Sequence, residues 1–229
     1  MSLWEWFMGD KKDAPIKKSN QSIVLDMDEC LLHTWDVKQK EFFKEIELSP
    51  KTLGYRRYIF EVFAEPKNKQ LPVYGIMRPG LIDFLTYCFD RFDNIILWSA
   101  GQDFYVEKVS DYIFHRTEQI PTQVLARSKC HILNKTMFTK PLYKLNEMFP
   151  EITLENCFFV DDNPDNSHFN KENHIVIPAF EPECTVDSIS DYFKNDRALY
   201  DLVEWFERED IKKCDDVRTL SKDDIFNIK

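Results

Sequence analysis

Asp26 and Asp28 stand two residues apart, directly after Ser22-Ile23-Val24-Leu25. An apolar, β-favouring run of this length reads as a buried parallel strand, and open α/β sheets keep their chemistry at the carboxyl ends of strands. Side chains two apart on an extended backbone point to one side, so the two carboxylates crowd together. They repel unless a cation sits between them or one takes up a proton. Oxygen donors of this kind suit a hard metal, and Mg²⁺ is the expected ion.

The elements that must position this pair follow from the rest of the chain. Asn94-Ile95-Ile96-Leu97-Trp98, Gln123-Val124-Leu125-Ala126, Cys157-Phe158-Phe159-Val160 and His174-Ile175-Val176-Ile177 read as further buried strands. Between them Leu81, Phe84, Leu85, Cys88 and Phe89 recur at helical spacing, a second helix is expected over 103–114, and a third starts at Pro141. Residues 186–207 read as a closing helical region. Strands alternating with helices predict an α/β fold with a doubly wound parallel sheet. One stretch breaks the alternation. Tyr55 to Phe63 and Leu71 to Ile76 are β-rich and flank turn residues at 64–69, which predicts a β-hairpin inserted after the first strand, within about 35–75. The expected organisation is an N-terminal arm at 1–20, one domain over 21–209 and a polar tail at 210–229.

Three of the strands end in polar residues: Asp26 and Asp28 on the first, Ser99 on the second, Asp161 and Asp162 on the fourth. Lys140 precedes the helix between the third and fourth strands. The string Leu25-Asp26-Met27-Asp28-Glu29-Cys30-Leu31-Leu32-His33-Thr34 resembles the nucleophile motif of the haloacid-dehalogenase (HAD) superfamily. It is most similar to the branch of phosphatases acting on the RNA polymerase II C-terminal domain, whose version is Asp-Leu-Asp-Glu-Thr-Leu-Val-His-Ser. That resemblance implies a HAD-type, Rossmann-like sheet and a Mg²⁺-dependent hydrolysis of phosphomonoesters through an aspartyl-phosphate.

Carried over residue by residue, Asp26 is the nucleophile and Asp28 the general acid, its backbone carbonyl also a metal ligand. Ser99 holds a non-bridging phosphate oxygen. Lys140, within Phe138-Thr139-Lys140-Pro141-Leu142, neutralises phosphate charge and keeps Asp26 ionised. Asp162 completes the metal site, and Asp161 orients Lys140 or a metal-bound water. Arg127, within Arg127-Ser128-Lys129-Cys130, shapes the substrate site. His33 reads as a packed or hydrogen-bonded histidine and Glu29 as a structural neighbour. Two positions depart from the family pattern: Cys30 stands where the family has Thr or Val, and Pro141 where it has Asp.

Composition narrows the reading. Hydrophobic residues make up 43% of the 229 and aromatic residues 14%, ample for one sizeable core. A net charge of −10 speaks against nucleic-acid binding, which needs clustered Lys and Arg. The six cysteines are scattered, with no Cys-x-x-Cys pair, so they read as reduced residues of an intracellular protein, nuclear or cytoplasmic. No apolar run reaches the ~18 residues that a membrane span needs, and a monomer is expected. The expected partner, implied by the resemblance, is a phosphoserine or phosphothreonine protein such as a C-terminal-domain-like peptide. Two rival readings are a catalytically weak protein-binding module of the same fold and a nucleic-acid 3′-phosphatase.

Overall fold

The computed structural model describes residues 19–35 and 40–226. The arm expected over 1–20 lies outside the described residues up to position 18, while Ser19 and Asn20 already belong to the first strand. In chain order the strands are β1 (Ser19–Leu25), β2 (Leu32–Trp35), β3 (Ile59–Ala64), β4 (Leu71–Met77), β5 (Phe92–Trp98), β6 (Gln123–Leu125), β7 (His131–Leu133), β8 (Met137–Thr139), β9 (Cys157–Asp161) and β10 (His174–Val176). The helices are α1 (Lys40–Leu48), α2 (Leu81–Arg91), α3 (Asp103–His115), α4 (Tyr143–Met148), α5 (Val186–Asn195), α6 (Ala198–Phe206) and α7 (Glu209–Lys212).

Five parallel strands form the main sheet, in the order β10-β9-β1-β5-β6. The first strand of the sequence thus becomes the middle strand, covered on both faces. Alternation along it sends Ile23 and Leu25 into the layer with Leu85, Val109 and Phe206, and Val24 into the layer with Trp98, Leu145 and Phe159. The register sets Leu25 beside both Leu97 and Val160. The polar residues that follow β1, β5 and β9 therefore emerge at one level, at the carboxyl end of the sheet. This is an α/β fold, a parallel sheet with packed layers on both faces.

The insertion is larger than a hairpin. β2 pairs with β4, which also pairs with β3, giving a three-stranded antiparallel sheet. β3 begins at Ile59 rather than Tyr55, because Pro50–Tyr58 forms 3-10 turns started by Pro50 and by the Ser49 hydroxyl, which accepts from Lys51 N at 3.3 Å. α1, in a stretch with no sequence assignment, buries Phe43 and Ile46 one turn apart. β7 and β8 form a further short hairpin that the sequence did not announce, its turn made by Asn134 and Lys135 at φ 51° and 68°. It matters because β8 ends at Thr139, directly before Lys140.

The expected closing helix divides into α5 and α6 at Asp196-Arg197. The stretch read as a polar tail is packed rather than free. Ile211, Val217 and Ile225 are buried, Val217 N donates to Glu155 O at 2.8 Å, and Gln21 Nε2 donates to Ile211 O at 3.1 Å. All six cysteines are free thiols. No helix among the described residues is long and apolar enough to cross a membrane.

Candidate active site

Asp26 leaves β1 with its N–H donated to Val160 O at 2.9 Å, which fixes the loop to β9. Its carboxylate is buried and takes a hydrogen bond from Lys140 Nζ. Lys140 is fully buried and donates a second bond to Asp161 Oδ2 at 2.6 Å. The hairpin before it and the loop after β9 hold it in place, since Lys140 N donates to Asn166 O at 2.9 Å. Burial alone would lower the ammonium's pKa, but Asp26 and Asp161 outweigh it and the group is held firmly protonated.

Asp161, at the end of β9, is held from several sides. Besides Lys140 it accepts from Asn163 N at 2.9 Å and from Asn166 Nδ2 at 2.9 and 3.0 Å. Asp162 beside it is partly exposed. Its carboxyl is pushed up to about 6 by burial and by Asp161. One oxygen each from Asp26, Asp161 and Asp162 lies within 4.8 Å of the others.

Asp28 faces the neighbouring part of the cleft. Its Oδ1 accepts from the Tyr105 hydroxyl and its Oδ2 from Ser99 Oγ at 3.1 Å. Burial raises its pKa, and the two hydrogen bonds oppose that rise. Ser99, expected to hold phosphate, thus has its hydroxyl on Asp28, and it also accepts from Gly101 N at 2.9 Å. Arg127 sits exposed at the rim, with Nε donated to Ala100 O at 2.6 Å and the guanidinium 4.9 Å over the Phe138 ring. An open cleft of about 540 Å³ joins Asp26, Asp28, Ser99, Tyr105, Arg127 and Asn166. A larger groove of about 970 Å³, between Arg78, α5 and α6, contains none of these carboxylates.

Burial raises Asp26 well above the carboxylate range, with Lys140 pulling it back and Asp161 and Asp28 pushing it further up. Four carboxylates share one buried ammonium, so the site is short of positive charge. A divalent cation among the oxygens of Asp26, Asp161 and Asp162 would supply it, and an all-oxygen donor set fits Mg²⁺. The residues present therefore fit the expected metal.

Two contributors had no sequence signal. Tyr105 is one aromatic among many in the chain, and Asn166 acts by holding Asp161 and the Lys140 backbone in place. His33 Nδ1 donates to Glu29 Oε2 at 3.0 Å, and neither residue belongs to the three-aspartate group. Glu29 takes a left-handed φ of 58° and its carbonyl accepts from Phe180 N. Cys30 is buried with Sγ 3.9 Å from Val160 O, and burial pushes its thiol well up, so it is an inert packing residue.

A middle strand that ends in an aspartate pair, opposed by a buried lysine and a second acidic pair, is the arrangement expected of a phosphatase domain of the HAD type. The family model of NLI interacting factor-like phosphatases matches residues 21–218, and the chain belongs to that family. Among solved structures it is similar to the fission yeast RNA polymerase II CTD phosphatase Fcp1 bound to beryllium fluoride, with 20% identity and a TM-score of 0.56 over 71% of this chain and 42% of that one. A second structure of Fcp1, described as an essential RNA polymerase II CTD phosphatase, matches with 18% identity and a TM-score of 0.56 over 89% of this chain and 58% of that one. The chain thus spans about half the length of these two relatives. None of the curated proteins compared with it matches.

Proposed function

We propose that this chain is a Mg²⁺-dependent phosphatase of phosphoserine or phosphothreonine in proteins, working through an aspartyl-phosphate on Asp26. The observation that carries the reading is the buried Lys140 bridging Asp26 and Asp161 at the carboxyl end of the sheet. An ammonium has three N–H donors, and two are taken by the carboxylates. Fully buried behind them, the ammonium offsets their charge and the charge that a phosphoryl group would bring to Asp26.

A carboxylate oxygen of Asp26 attacks phosphorus while the ester P–O bond breaks, and Asp28 gives its proton to the departing oxygen. In the second half Asp28 takes a proton from water as the water oxygen bonds to phosphorus. The Asp26–phosphate bond breaks and inorganic phosphate leaves. Asp26, Asp161 and Asp162 would hold Mg²⁺, which clamps the charge of the transferring phosphoryl group. Asn166 and Asn163 keep Asp161 aimed at Lys140.

The cleft is open, and Arg127 stands at its rim beside Phe104 and Gln102. That geometry suits an extended peptide better than an enclosed metabolite, and the solved relatives are C-terminal-domain phosphatases. Comparing kcat/KM for phosphoserine and phosphothreonine peptides with that for small phosphorylated metabolites tests the reading. Faster turnover of peptides is expected; a clear preference for metabolites would sink the peptide assignment.

A further inference from the structure

The Asp28 carboxylate is held at both ends, and one of the two holders lies on a helix rather than at a strand end. Tyr105, one turn into α3, reaches Oδ1, while Ser99 reaches Oδ2. Behind Tyr105 stands Thr34 of β2, whose Oγ1 is 3.1 Å from the phenol oxygen. The chain Asp28–Tyr105–Thr34 therefore ties the carboxylate to the antiparallel insertion sheet.

The packing around the tyrosine is arranged for this contact. A Cβ on Gly101 would lie 2.8 Å from Tyr105 Cδ1 and 3.0 Å from Ser99 Oγ. Only the absence of a side chain there lets the ring and the serine hydroxyl close on Asp28 together. Burial, with Asp28 beside it, raises the Tyr105 pKa, so the phenol remains a hydrogen-bond donor. Hydroxyls also accept, so the Tyr105–Thr34 pair has a partner for Asp28 before and after a proton passes.

We infer that Tyr105, backed by Thr34, is a positioning residue that fixes Asp28 in line with the leaving oxygen. This rests on the phosphatase reading and deepens it. Positioning of a general acid matters in proportion to how much proton the leaving group needs. A p-nitrophenolate departs almost without help, whereas a 4-methoxyphenolate needs the proton. Both occupy the same space, so their comparison isolates proton delivery.

The test measures kcat/KM for both aryl phosphates with wild type and Tyr105→Phe. This parameter reports steps only up to departure of the leaving group. Tyr105→Phe is expected to lose roughly tenfold on 4-methoxyphenyl phosphate, a fraction of the ~10²–10⁴ a general acid supplies, and under twofold on p-nitrophenyl phosphate. An equal loss on both esters, or no loss on either, overturns the inference. Should the variant fail to fold, Thr34→Val removes only the hydroxyl behind the phenol and is read the same way, with a selective loss of about threefold expected. Wild-type hydrolysis that Asp26→Asn abolishes secures the underlying reading first. A wild type inactive on every aryl phosphate overturns that reading, and the inference with it.

Discussion

Lys140→Met replaces the ammonium by an apolar chain of similar length and leaves two buried carboxylates facing one another. Asp26 is 6% exposed and Asp161 not at all, and their nearest oxygens lie within 4.8 Å. Two unit charges at about that distance repel by roughly 3 kcal/mol at an effective dielectric of ~20. Removing one partner of a buried ion pair costs about 3–5 kcal/mol by the same physics. Asp161 keeps its bonds from Asn163 and Asn166, so the lower half of that range applies. For a chain of this size about 3–4 kcal/mol lowers Tm by roughly 10 °C. Thermal unfolding in EDTA is the assay. Mg²⁺ is expected to restore part of the loss, because it neutralises the same oxygens. Lowering the pH is expected to narrow the gap, because protonated carboxylates no longer repel. Phosphatase activity should fall at least ~100-fold. A variant that melts within about 2 °C of wild type in EDTA would refute the charge-balance argument.

Asp162, pushed up to about 6, must lose its proton to bind a metal. The apparent Mg²⁺ affinity should therefore weaken by up to about tenfold per unit as the pH falls below about 6, as titration calorimetry at pH 5 and pH 7 would show. Asp196→Ala breaks the buried pair with Arg78, at 2.9 Å, and the cap on Ala198 N. It should cost about 3–5 kcal/mol in denaturant unfolding and leave the activity of folded molecules unchanged. Arg127→Ala should raise KM for a phosphopeptide several-fold, roughly 1 kcal/mol, while KM for p-nitrophenyl phosphate barely moves.

Buried parallel strands are continuous apolar runs, so β1, β5, β9 and β10 could be read directly, and with them the polar residues at the ends of β1, β5 and β9. Their convergence followed from parallel topology alone. The insertion was harder. Leu32–Trp35 looks like the continuation of an apolar loop, and only pairing with β4 makes it a strand. The β7–β8 hairpin has strands of three residues, too short for any period to register. Polarity hid the packed C-terminal stretch, because Ile211, Val217 and Ile225 are spread among charged neighbours. At the site, the candidate residues that the fold brings together were legible from type and position. Those that act by holding another side chain, Tyr105 on Asp28 and Asn166 on Asp161, were not. Nothing in their spacing separates them from ordinary core and loop residues.

The most direct test is hydrolysis of p-nitrophenyl phosphate by wild type and Asp26→Asn, each with Mg²⁺ and with EDTA. An aspartyl-phosphate mechanism predicts turnover only in wild type with Mg²⁺. Turnover that survives either the substitution or the chelator would contradict it.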